Sequence, residues 1–149
     1  MSTEFVLSPL LSPIACGLAG LFCGGLIGLE RQLRGHEAGL HTNALVALGA
    51  AIFVAMSRDG MGADSAARMA AQVATAVGFL CAGLIWRDSG VARGLNTAAT
   101  VWCSAAIGLT AGLGQLGTAF AFAVVVVAAN AILHVVGARI GPKHPAGEP

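Results

Sequence analysis

Charge is the first thing this sequence lacks: Asp, Glu, Lys and Arg make up 10% of its 149 residues, against about 25% in an average soluble domain. Hydrophobic residues reach 56%, and a soluble domain of this size has too little polar surface to cover them. The bilayer is the solvent that fits. The formal net charge is +1, so there is no basic field of the kind that holds nucleic acid. Tyr is absent and there are 2 Trp, so a strong aromatic belt at the membrane interfaces is missing. Cysteine is sparse and unpatterned. Cys16, Cys23, Cys81 and Cys103 lie in apolar stretches without C-x-x-C spacing, which reads as small buried hydrophobes and not as a metal site or disulfide framework. No nucleophile–base pair or phosphate-binding loop stands out, so neither an enzyme nor a cofactor is expected.

What the chain does have is long apolar segments, at residues 10–29, 42–57, 69–86, 97–113 and 116–137. A spanning helix takes about 20 residues. The first and last segments meet that, whereas the second is short and has to borrow residues 39–41 or sit where the bilayer thins. The expectation is an all-α integral membrane protein of about five transmembrane helices, with four plus an interfacial helix as the alternative. It divides into an outside segment at 1–9, a transmembrane domain at 10–137 and a Pro/Gly-rich, disordered cytoplasmic tail at 138–149. Five spans put Arg31, Arg34, Arg87, Arg93, Arg139 and Lys143 on one side and Arg58 and Arg68 on the other. The richer side is cytoplasmic by the positive-inside rule, which leaves the N-terminus outside.

The chain also repeats itself. Gly20-Leu21-Phe22-Cys23-Gly24-Gly25-Leu26-Ile27 returns 58 positions later as Gly78-Phe79-Leu80-Cys81-Ala82-Gly83-Leu84-Ile85. Residues 39–52 return at 94–107 with eight identities in fourteen positions. The transmembrane unit is therefore a duplicated pair of helices joined by a polar loop, a construction typical of membrane transport-type folds. Small residues recur at i+4 spacing, at Cys16, Gly20, Gly24 and Gly28, then at Ala70, Ala74, Gly78 and Ala82, then at Gly108 and Gly112. In lipid such stripes let backbones approach closely. One of these faces also suits a homodimer, with none singled out. Residues 123–129 are mostly Val and Ala without a glycine stripe, as expected of an outer, lipid-facing helix.

Polar side chains gather at the predicted cytoplasmic face. Glu30 and Asp88 occupy equivalent places in the repeat, as do Thr42 and Thr97, and each Thr is a plausible N-cap for the returning helix. A carboxylate at a helix end is better placed bent toward the start of the facing helix. Arg31, Arg34, Arg87 and Arg93 surround the acids. An ion-pair and capping network fits this pattern. A cation site shared by Glu30 and Asp88 is the sharper reading, opposed by the arginines, and docking of a partner protein or lipid head group is a third. Residues 58–68 read as a solvated outer connection, with Gln72 extending a polar stripe into the third helix. Asn130 and His134, at i and i+4 in the last span, are intramembrane polar candidates.

Several of these segments resemble a known family. Gly28-Leu29-Glu30-Arg31-Gln32, Gly39-Leu40-His41-Thr42, Gly78-Phe79-Leu80 with Ala82-Gly83, Arg93-Gly94-Leu95-Asn96-Thr97-Ala98-Ala99-Thr100 and Trp102-Cys103-Ser104-Ala105-Ala106 resemble the MgtC/SapB family of bacterial inner-membrane proteins, and its MgtC branch in particular, over residues 17–117. The resemblance implies magnesium homeostasis, adaptation to low Mg²⁺ and survival of intracellular pathogens. It implies a regulator of membrane potential or of a membrane ATPase, with ATP synthase or a P-type ATPase as partner. Glu30, Arg31, Thr42, Asn96, Thr97 and Cys103 fall on the family's motif positions. The sequence departs from the family at His41, where Arg is usual, at residues 64–68, which lack the usual Asp-Pro-x-Arg, and at Cys81, which replaces a common glycine and is expected to loosen a helix contact. Longer members carry a soluble cytoplasmic C-terminal domain, which residues 1–149 do not include. A small Mg²⁺ or other cation transporter or channel is the alternative, and it requires polar residues from several helices converging near the midplane.

Overall fold

A computed structural model describes residues 3–88 and 90–140. Five helices dominate: α1 (Thr3–Leu33), α2 (Leu40–Met61), α3 (Ala63–Ala82), α4 (Leu95–Gly112) and α5 (Leu116–Ile140). Between α3 and α4 lies a hairpin of two short antiparallel strands, β1 (Trp86–Asp88) and β2 (Val91–Arg93). The protein is an all-α membrane protein, with four helices long and apolar enough to cross a bilayer: α1, α2, α3 and α5.

Packing follows from the small residues. Helices α1, α2 and α4 contact one another, α3 sits against α2 and α4, and α5 sits against α1 and α4. In α1, Gly20, Gly24 and Gly28 each meet α2 so closely that a Cβ there would strike backbone carbonyls at Ala47, Asn43 and Gly39. Gly108 and Gly112 of α4 meet the Ala47 and Ala51 carbonyls of α2 in the same way. Ala47 and Ala51 are fully buried, so α2 is clamped between two glycine faces. Lipid gives little hydrophobic drive between helices, and such close contact supplies dispersion instead. The stripe of α3 does no such work. Gly78 has open space around it, and Ala82 is exposed.

Helix α4 is 18 residues long and carries nine buried residues. It touches each of the other four helices. Its hydroxyls fold back onto the helix itself, Thr100 donating to the Asn96 carbonyl and Thr110 to that of Ala106, which hides them from lipid. Helix α5 is the least buried of the candidate spans, as its Val-rich sequence predicts.

The boundaries differ from the sequence reading in several places. Helix α1 begins at Thr3, ahead of the expected start at Leu10, and α2 runs for 22 residues, so it is not short. The expected loop over 58–68 is absent, because α2 continues to Met61 and α3 begins at Ala63. Gly62, at φ +87°, makes this one-residue reversal, a conformation open to glycine and costly for other residues. Trp86 belongs to β1 and not to the third span. Residues 141–149 of the expected tail lie outside the described residues. The four cysteines are unpaired, with Cys16, Cys23 and Cys81 buried and Cys103 half-buried. The Cys81 thiol donates to the Ala98 carbonyl at 3.3 Å and joins α3 to α4.

The duplication survives in part. Gly39 and Gly94 each stand at the N-cap, so α2 and α4 start at equivalent residues. The preceding halves diverge. Helix α1 continues through Gly28 to Leu33, while α3 stops at Ala82 and the chain turns into the hairpin. Residues with β preference, Ile85 and Trp86, and the left-handed Gly90 and Gly94 account for the change.

Candidate functional site

The end of α1 and the residue that follows it bring Glu30, Arg31 and Arg34 beside the start of α4 and the later turns of α5. Arg31 is 2% exposed, and its Nη2 donates to the Thr97 hydroxyl at 2.8 Å. Glu30 forms an ion pair with Arg34, four residues on and just past the end of the helix. It does not bend across to α2 or α4. Thr42 and Thr97 are not N-caps either, since Gly39 and Gly94 hold those positions without side-chain bonds. The first N–H of α2 is met instead by Gln32, whose Oε1 accepts from Leu40 N–H at 3.1 Å.

These residues enclose a cavity of about 100 Å³. Glu30, Arg31, Arg34 and Asn96 line one side, and Asn130, Leu133 and His134 of α5 line the other, with His36 from the α1–α2 connection closing it. The His36 and His134 rings meet edge-on, with centroids 6.5 Å apart. Asn130 and His134 therefore face the same cavity as the end of α1 and the start of α4. They can do so because α5 has 25 residues against 18 in α4, and at 1.5 Å per residue it extends roughly 10 Å further.

Buried polar atoms without hydrogen bonds concentrate here. They are Oε2 of Glu30, Nε of Arg31, Nδ1 of His36 and Nδ2 of Asn130. Arg34 Nε lies against Glu30 Oε1, so Oε2 is the carboxylate oxygen left without a donor. An unsatisfied buried polar group costs about 1–3 kcal/mol. Polar atoms left this way around one cavity suit water or a polar ligand.

Other candidates lie elsewhere. Asp88 pairs with Arg93 across the hairpin at 3.2 Å, both largely exposed, and Arg87 is exposed on β1. Glu30 pairs with Arg34 and Asp88 with Arg93, each acid with an arginine of its own repeat, and the second repeat has a hairpin where the first has a helix. Among the described residues no group of three or more His, Cys, Asp or Glu could hold a metal ion. Thr42 is half-buried in the first turn of α2, and Cys103 is half-buried in α4. Gln72 is exposed on α3, in line with Asp64 and Arg68. Sequence reasoning missed His36, which sits in a connection without periodicity. It also missed the buried Asn43, which donates to the Ala38 and Gly39 carbonyls and accepts from the Ser104 hydroxyl at 2.8 Å. This bond links α2 to α4.

Residues 18–139 match the MgtC family. The chain is 50% identical over 123 residues to Protein MgtC of Salmonella typhimurium, covering 83% of this chain and 53% of that protein. It is 51% identical over 129 residues to Protein MgtC of Brucella abortus, covering 86% of this chain and 54% of that protein. The chain thus spans about half the length of the curated relatives it matches. No solved structure matches it. A match over this much of the chain, at this identity, makes the protein a member of the MgtC family.

Proposed function

We propose that the protein is a non-enzymatic regulator in the bacterial inner membrane, serving magnesium homeostasis, growth at low Mg²⁺ and survival inside host cells. Its working surface is the cytoplasmic rim, where it contacts a second membrane complex, ATP synthase or a P-type ATPase, and thereby affects membrane potential. Family membership supports the magnesium role. The observation that carries the rest is the rim cavity, in which α1, α4, α5 and the α1–α2 connection gather unsatisfied polar atoms. Exposed Arg34, Arg87 and Arg93 lie on the same side of the helix bundle and offer a basic surface to a partner. The orientation rests on the excess of Lys and Arg on that side.

The test is complementation of a deletion strain with Glu30→Ala and Asn96→Ala. Both variants are expected at wild-type abundance in the membrane, with loss of growth at low Mg²⁺ and altered membrane potential. Unchanged growth and potential for both would refute this reading. Crosslinking from residues 34–37 in cells is expected to capture a subunit of the partner complex.

A further inference from the structure

We propose that the rim cavity binds a phosphate group that still carries a proton, as inorganic phosphate or as the phosphomonoester head group of a lipid. The inference rests on the cavity being the working site. Its volume of about 100 Å³ is several times the roughly 10–15 Å³ that one water needs, so a polyatomic ligand fits. The charged groups at the cavity are two guanidiniums, Arg31 and Arg34, and one carboxylate, Glu30. That balance favours an anion. The first turn of α4 adds to it, because its N-cap has no side-chain bond and the positive end of the helix dipole faces this rim.

The unpaired atoms narrow the chemistry. Arg31 Nε and Asn130 Nδ2 are donors that need acceptors, while Glu30 Oε2, the carboxylate oxygen not held by Arg34, is an acceptor that needs a donor. A metal cation would satisfy Glu30 but face two guanidiniums. A fully ionised oxyanion such as sulfate would satisfy the donors and repel Glu30. A phosphate bearing one P–OH satisfies both sets: its ionised oxygens accept from Arg31 and Asn130, and its hydroxyl donates to Glu30. His36 Nδ1, also unpaired, meets a remaining oxygen or hydroxyl according to its own proton. No bond to phosphorus is made or broken. The buried Arg31 is held ready for this role by Thr97.

The experiment is isothermal titration of the full chain in phosphatidylcholine nanodiscs with sodium phosphate and sodium sulfate at fixed ionic strength, in a buffer free of oxyanions. Phosphate is expected to bind saturably, at least about tenfold tighter than sulfate. Glu30→Gln, which turns one acceptor into a donor, is expected to bring the two anions within about threefold. Asn130→Asp, nearly isosteric, is expected to abolish binding of both by adding a negative charge, and thermal melting of each variant reports folding. In nanodiscs containing phosphatidic acid, a lipid occupant would remove the phosphate signal, whereas free phosphate as the ligand would leave it intact. Equal affinity for sulfate and phosphate in the unaltered protein would overturn the proposal. So would an absence of saturable phosphate binding in phosphatidylcholine together with no retention of phosphatidic acid. Either result, alongside lost growth of Glu30→Ala cells, would remove the phosphate site and leave the regulatory role standing.

Discussion

Arg31 at the end of α1 donates through Nη2 to the hydroxyl of Thr97 in the first turn of α4, at 2.8 Å across 66 positions of sequence. The bond joins the two halves of the duplicated unit beside the cavity. Thr97→Val removes the acceptor and leaves a buried guanidinium nitrogen without a partner, so it is expected to destabilise the protein by about 1–3 kcal/mol. A double-mutant cycle with Arg31→Lys, read by unfolding in detergent, is expected to give a coupling of at least about 0.5 kcal/mol. Additive effects would show that the bond contributes nothing to stability.

The glycine faces separate into packed and open positions. Gly108→Ala forces a Cβ into the Ala47 carbonyl and is expected to cost about 1–3 kcal/mol through backbone displacement. Gly78→Ala meets nothing and is expected to stabilise α3 by up to about 1 kcal/mol through helix propensity. Melting temperatures of the two purified variants should move in opposite directions. A rise for both would contradict the close approach of α4 to α2.

At the opposite rim, Arg58 fastens three helices. Its Nη1 donates to the Gly112 carbonyl at 3.0 Å, and its Nη2 donates to the Ser12 hydroxyl at 2.7 Å. It thereby serves the C-terminal carbonyls of α4, where a cation is favoured. Arg58→Lys keeps the charge but loses the fork, and the expected loss is about 1–2 kcal/mol. Asp59→Asn, which alters the ion pair of Arg58 with its neighbour and the Asp59 contact with Ser12, is expected to cost less than half of that. A larger effect from Asp59 would place the energy in the ion pair and not in the helix junction.

The orientation has a direct readout. In a background with the four native cysteines replaced by Ala, Asp64→Cys at the α2–α3 reversal is expected to react with a membrane-impermeant maleimide in intact spheroplasts. Arg87→Cys on the hairpin is expected to react only after permeabilisation. The reverse pattern would invert the topology and put the cavity on the outer face.

The Asn43–Ser104 link is expected to matter modestly. Ser104→Ala strands the Asn43 Oδ1 in a buried site, and interhelical hydrogen bonds in membranes average about 0.6 kcal/mol, with a maximum near 1.7. A loss far above that, measured by unfolding in detergent, would show that Asn43 also governs the α1–α2 connection through its bonds to Ala38 and Gly39.

By itself the sequence determined the solvent, the helical class, the duplicated pairs and the family, because these depend on composition, periodicity and local identity. The stripe of Gly20, Gly24 and Gly28 was legible for the same reason: spacing along one helix fixes a face. It did not show that the similar stripe of α3 would stay open, since a face says nothing about what lies opposite. The equivalence of Glu30 and Asp88 was real in sequence and lost in space. Turn chemistry after Gly83 outweighed helix propensity and moved Asp88 onto a hairpin. Glu30, Asn96, Asn130 and His134 were each visible as candidates, but in separate segments. Only the tertiary structure brought them around one cavity with His36, because a long α5 packed beside a short α4 sets which turns share a level.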